Sequence, residues 1–313
     1  MAVAEGTFEG AVMATERPPL SPGQLAWRRF RRHKMAMFGA VLLLLMILYV
    51  ILGSLVYTEQ YANHNELSIK LSAPSREHPF GTDGTGRDIL ARTIYGGQIS
   101  VAIGMSAVVI SVTVGVLVGS IAGYYGGLID SMLMRFTEAV FNIPQLFLLI
   151  VLAKALSGKI PTFKVLGRTL SGSVIVVISV IGLTSWMYLA RIVRASYLSL
   201  KEQEFVTAAR SIGAPNPRII FRHILPNCIA PIVVSATLGV ASAILNEAYV
   251  SFLGLGVQPP TATWGNMLEQ AYHHLETEPW MWIFPGLLIL LTVLAINFLG
   301  DGLRDALDPR TII

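Results

Sequence analysis

Apolar residues along this chain gather into long runs that carry few charges, separated by shorter polar intervals. The runs cover residues 35–58, 98–124, 135–155, 170–190, 229–252 and 282–300. Each is close to the roughly 20 residues that a helix needs to cross about 30 Å of hydrocarbon. The pattern predicts an all-α, polytopic membrane protein with six transmembrane helices. An even number of crossings leaves both termini on one side.

Charge decides which side that is. Arg28, Arg29, Arg31, Arg32 and Lys34 stand directly before the first run. Basic flanks stay in the cytoplasm, so this run reads as an uncleaved signal anchor. With the termini inside, 15 of the 23 lysines and arginines are cytoplasmic. Lys154, Lys159, Lys164 and Arg168 run against the rule in one outside loop. Residues 1–26 are small, acidic and polar, with Pro18, Pro19 and Pro22, and read as a flexible tail.

Composition agrees: 53% of residues are hydrophobic and 13% charged, with a mean hydropathy of +0.61. The net charge of +4 belongs to membrane topology, not to nucleic-acid binding. The single cysteine, Cys228, excludes an intramolecular disulfide and has apolar neighbours.

Within the spans, Ala107, Ser111, Gly115, Gly119 and Gly123 recur every fourth residue, predicting a helix face that a second backbone can approach closely. Pro144 predicts a kink in the third span. Glu138 and Asn142 in that span, and Asn246 and Glu247 in the fifth, are candidates for a translocation path or for structural polar contacts. Glu138 stands three residues from Arg135, the spacing of a helical ion pair, and Glu247 is near enough to its helix end to snorkel.

Motifs for bond chemistry are missing: there is no G-x-x-x-x-G-K-[ST], H-E-x-x-H or G-x-S-x-G. No catalytic residue, metal site or cofactor is expected on this chain. His273 and His274 lie near Glu269, Glu276 and Glu278, but adjacent histidines point different ways on a helix, and a solvated loop is the expectation.

The interval 191–228 is the most telling polar stretch. In "EFVTAARSIG", Phe205, Ala208, Ala209 and Ile212 form a narrow apolar stripe at helical spacing, with Glu204 and Arg210 on the other face. Gly213 stands where a left-handed cap would end this helix, and Pro215 and Pro217 discourage its continuation. A second helix is expected from about Pro217, with Pro226 bending it into the fifth span. A short rigid helix with small residues suits a gripping partner, whereas a helix lying in lipid headgroups would favour bulkier side chains than Ala208 and Ala209.

Ala208-Ala209, Gly213 and Leu225-Pro226 together resemble the cytoplasmic loop signature of permease subunits of bacterial ABC importers. Thr207 and His223 replace the glutamate and isoleucine usual there. "HPFGTDGTGRDILARTIYGGQIS", "WMYLARIVRASYLSLKEQEFVTAAR" and "NEAYVSFLGLGVQPPTATWGNML" are similar to the dipeptide, oligopeptide and nickel branch of that family. The basic stretch and first span resemble the second of its two paired permeases.

The resemblance implies the type I ABC importer permease fold in a bacterial plasma membrane. It implies a homologous permease partner, two ATPase subunits that bind ATP and Mg, an external solute-binding protein and a peptide substrate. Residues 27–58 become the membrane anchor, 59–97 an external loop with an amphipathic segment, 98–303 a five-helix permease core, and 304–313 a cytoplasmic tail. Glu204, Phe205, Thr207, Ala208, Ala209, Arg210, Gly213 and Pro226 become candidates for ATPase coupling. Asp83, Arg87, Asp88 and Trp264 become candidates for docking the binding protein. On the residues alone, Asp88 reads as the start of an amphipathic helix at 89–94, and Trp264 as an interface anchor.

Competing readings are a permease for nickel, a secondary transporter, an intramembrane hydrolase and a purely structural subunit. A secondary transporter calls for ion-coupling carboxylates and repeated halves, of which only Glu138 and Glu247 are in evidence.

Overall fold

The computed structural model describes residues 21–156, 158–165 and 168–308. Most of the expected N-terminal tail lies outside these residues. Its last part is helical: α1 (Pro22–Arg32) opens in a capping box, with Gln24 N–H donating to Ser21 Oγ and Ser21 N–H donating to Gln24 Oε1. One residue later α2 (Lys34–Val56) begins, with His33 Nδ1 accepting from the Ala36 N–H at 3.0 Å.

A short α3 (Glu59–Ala62) leads to an ordered loop and then to α4 (Ile89–Tyr125). The amphipathic segment and the second span, expected as separate, are one continuous helix of 37 residues. The third span is broken outright. Helices α5 (Gly127–Phe141) and α6 (Gln145–Leu156) meet at 85° across residues 142–144, because Pro144 supplies no N–H and keeps Ile143 from helical backbone angles. No ion pair joins Arg135 to Glu138 among the described residues.

An antiparallel strand pair, the hairpin of β1 (Phe163–Val165) and β2 (Arg168–Leu170), is a small β addition to the mainly helical described residues. Next, α7 (Ser173–Thr184) and α8 (Trp186–Leu200) form the fourth span with a break at Ser185. Helix α9 (Glu204–Ser211) and the single turn α10 (Asn216–Arg218) precede a π turn at Ile219–Ile224 and a 3₁₀ turn at Leu225–Cys228, which run on into α11 (Ile229–Phe252). Pro226 does not bend this path sharply. Lacking the N–H that would bond to Arg222, it widens the helix into the π turn, and residues Asn216–Phe252 stay one helical rod. Helices α12 (Trp264–Ala271) and α13 (Trp280–Leu307) are the last elements of the described residues. The last helix takes in residues 304–307, expected as tail.

Among the described residues five helical segments are long and apolar enough to span a membrane, or six where the bent α5–α6 pair counts as one span. Helices α4 and α8 form the most extensive helix contact among the described residues. The five small residues of α4 are all buried; Gly115, Gly119 and Gly123 face α8, whereas Ala107 packs with α7. A Cβ on Gly119 would lie 2.5 Å from the Ala190 carbonyl, and one on Gly123 2.6 Å from Tyr197 Cβ. Only glycine allows backbones this close.

These contacts fix the two ends of the bundle. Phe30 and Ala36 pack on Ala306, and Tyr124 packs with Val206 and Ile219, so both described chain ends share one end of the bundle with α9. The loop 59–88, the hairpin and α12 lie at the other.

Candidate functional site

Helix α9 stands on a dense apolar footing. Val206 and Ala209 are buried with Tyr124, Val193, Tyr197, Ile219 and Ile224. Its outward side carries Phe205, Ala208 and Ile212, the last 85% exposed. The expected stripe is therefore split: Ala209 turns inward beside Val206, and the rest faces solvent with Glu204, Thr207 and Arg210.

The helix ends in a Schellman motif. Gly213 N–H donates to Arg210 O at 2.9 Å and Ala214 N–H to Ala209 O at 3.1 Å, with Gly213 at φ +80°. Tyr124 and Tyr197 tie the loop to the bundle: Tyr124 Oη–H donates to Asn216 Oδ1 at 2.8 Å, and Tyr197 Oη–H to Ile220 O at 3.0 Å. Arg210 lies over the Tyr124 ring at 5.7 Å. Movement of α9 would thus reach α4 through Tyr124, α8 through Tyr197 and α11 through the π turn.

Helices α4, α8 and α11 also line an open cavity of about 760 Å³. Its wall is mainly apolar, with uncharged polar groups that include Ser111, Gln145, Ser185, Ser242 and Asn246, and with Arg304 and Asp308 at the α9 end. The breaks of the third and fourth spans meet here, where Gln145 Nε2 donates to Ser185 Oγ at 3.2 Å. Non-helical backbone at membrane depth needs such a cavity or protein cover. Sequence reasoning missed Gln145 and Ser185. The signal available was Pro144 next to one of them.

The four polar candidates separate. Asn246 lines the cavity, Glu138 and Asn142 are exposed outside its lining, and Glu247 is fully buried away from it. Ser100 Oγ–H donates to Glu247 Oε2 at 3.1 Å and Ser251 Oγ–H to Oε1 at 2.7 Å. Snorkelling is excluded, because α4 and α12 enclose the carboxyl.

The four docking candidates all make contacts within the chain. Trp264 is 1% exposed and donates its indole N–H to Thr93 O at 2.8 Å, so it anchors α12 to α4 instead of sitting at a membrane interface. Asp88 is buried, caps α4 by accepting from Ala91 N–H at 2.7 Å, and faces His78 Nδ1 at 2.8 Å. Asp83 is buried too, accepting from the N–H groups of Thr85 and Arg87 and from Arg87 Nε at 2.7 Å. Arg87 also holds Gln270 Oε1 of α12 at 2.9 Å. Burial pushes the Asp83 carboxyl up, but the charges of Arg87 and Arg92 and the two backbone N–H groups outweigh it and hold the group below the usual aspartate range.

A bundle of spanning helices around an open, mostly uncharged cavity, with a capped helix projecting from one end, defines a membrane transport subunit. The chain belongs to the family described as binding-protein-dependent transport system inner membrane component, whose model matches residues 115–313. The model for the N-terminal transmembrane domain of oligopeptide transport permease C matches residues 21–74. Similar proteins include the dipeptide transport system permease protein DppC of Alkalihalophilus pseudofirmus, 40% identical over 93% of this chain and 91% of that one. The oligopeptide transport system permease protein OppC of Haemophilus influenzae is 41% identical over 92% and 88%. Among solved structures, a chain of the inward-facing MetNI methionine ABC transporter matches with a TM-score of 0.52 over 68% of this chain and 94% of that one, at 18% identity. The fold is that of a type I ABC importer permease, and the chain is a multi-pass membrane permease subunit.

Proposed function

We propose that this chain is one of two paired permeases of an ATP-driven importer of di- or oligopeptides, with both termini and α9 in the cytoplasm. The observation that carries the reading is the outward apolar face of α9 on a Schellman-capped helix fastened to three cavity-lining elements. Glu204, Phe205, Thr207, Ala208 and Arg210 meet an ATPase subunit, while Gly213 and Pro226 shape the loop. ATP and Mg are bound by two such subunits, and this chain contributes no phosphate-binding loop. The cavity is this chain's half of the path, and an external binding protein delivers substrate at the opposite end.

ATP shifts the permease pair only through a difference in its affinity for the two states. A helix that is rigid and cross-tied transmits that difference. A nearly uncharged wall suits peptides of varied side chain, and the similar DppC and OppC permeases favour peptides over nickel.

The test is site-directed cross-linking in native membranes from Ala208→Cys, paired with uptake of labelled peptides. Cross-links to an ATPase subunit, with uptake that excess peptide but not nickel suppresses, support the proposal. Cross-links to lipid alone, or uptake that persists after ATP depletion, overturn it.

A further inference from the structure

We propose that α1 is a binding surface for anionic phospholipid headgroups, fixed against the first membrane span. The helix is held in one rotation. Phe30 is buried against Ala36 and Ala306, and Arg29 Nη1 donates to Asp308 O at 3.2 Å. Helical spacing then turns Arg28, Arg31 and Arg32 away from the protein, and all three are exposed. None of them, nor Lys34, pairs with a carboxylate among the described residues.

Two observations choose lipid over an acidic protein as the occupant. Trp27 is 60% exposed beside this stripe, stacked on Phe30 at 5.9 Å between ring centroids. An amphipathic ring at that position is characteristic of the headgroup layer. In addition, α2 follows after a single residue and begins with exposed Met35, Phe38 and Val41, so the lipid boundary starts within about a turn of the arginines. A basic helix at this depth attracts anionic headgroups in proportion to its charge. The inference stands apart from the coupling role of α9, because it concerns only α1 and the bilayer.

The experiment is amide hydrogen exchange of residues 22–32 in the full chain, purified with its native partner subunits. Nanodiscs of phosphatidylcholine alone are compared with nanodiscs containing phosphatidylglycerol. Phosphatidylglycerol is expected to slow exchange in α1 by about fivefold or more, the effect of a single well-placed basic residue, and high salt should reverse it. Replacing Arg28, Arg31 and Arg32 together by Gln should remove the lipid dependence, and replacing them by Lys should retain most of it. The wild-type comparison needs no variant, so poor insertion of the Gln form leaves the test intact. Equal exchange in the two lipids overturns the proposal. So does a phosphatidylglycerol effect that survives the Gln substitutions.

Discussion

The Tyr197 hydroxyl, fully buried in α8, donates to the Ile220 carbonyl inside the π turn that joins the α9 loop to α11. It ties two cavity-lining helices at the point where Pro226 has disturbed regular hydrogen bonding. Tyr197→Phe keeps the ring and loses only this bond, at about 0.5–1.5 kcal/mol. Membrane levels should stay close to wild type while uptake falls severalfold at unchanged ATPase activity. Uptake and ATP hydrolysis measured on the same vesicles check this.

Gly213 separates backbone from packing. A Cβ there would meet nothing within 4 Å, so its φ of +80° is the only obstacle to substitution. Gly213→Val should cost about 1–3 kcal/mol locally and uncouple transport from ATP hydrolysis. Gly213→Asn, which tolerates this region, should recover most of the uptake. Unaltered uptake in the valine variant would argue against the cap.

Gly119 tests the opposite case, since its φ is helical and its surroundings are full. Gly119→Val would drive side-chain carbon into the Ala190 carbonyl and Val193. Separation of α4 from α8 should remove the folded protein from the membrane, read as loss of mature chain by immunoblot.

Glu247 accepts from two serine hydroxyls and faces no cation among the described residues. If its role is to hold α11 against α4, a neutral isostere should serve. Glu247→Gln is expected to transport near the wild-type rate, whereas Glu247→Ala should lose about 1–3 kcal/mol and most of its membrane level. Substrate uptake lost in the Gln variant at normal levels would point to a role for the charge.

Asp83 gives the loop 59–88 a pH dependence of known sign. Its folded-state value lies below that of the unfolded chain, so the stabilisation is complete above about pH 4 and is lost as pH falls through the lower, folded-state value. Limited proteolysis of this loop should accelerate as the pH is lowered from about 5 to 2. Asp83→Asn should be more easily cleaved at neutral pH and should respond less to acid.

Sequence alone determined the elements whose signal is local. Apolar runs poor in charge marked the five long spanning helices and the bent α5–α6 pair, Gly213 marked the cap of α9, Asp88 the start of α4, and the four-residue spacing of Ala107 to Gly123 a close helix contact. Each follows from lipid's intolerance of charge, or from a backbone angle or periodicity fixed within a few residues. Tertiary structure decided what each polar group faces. It turned Ala209 inward and Ile212 outward, enclosed Glu247 and Trp264 in the bundle, and brought Gln145 to Ser185 across the two broken spans. Those outcomes depend on neighbours from distant parts of the chain, and a side chain's local sequence does not say which helix will stand beside it.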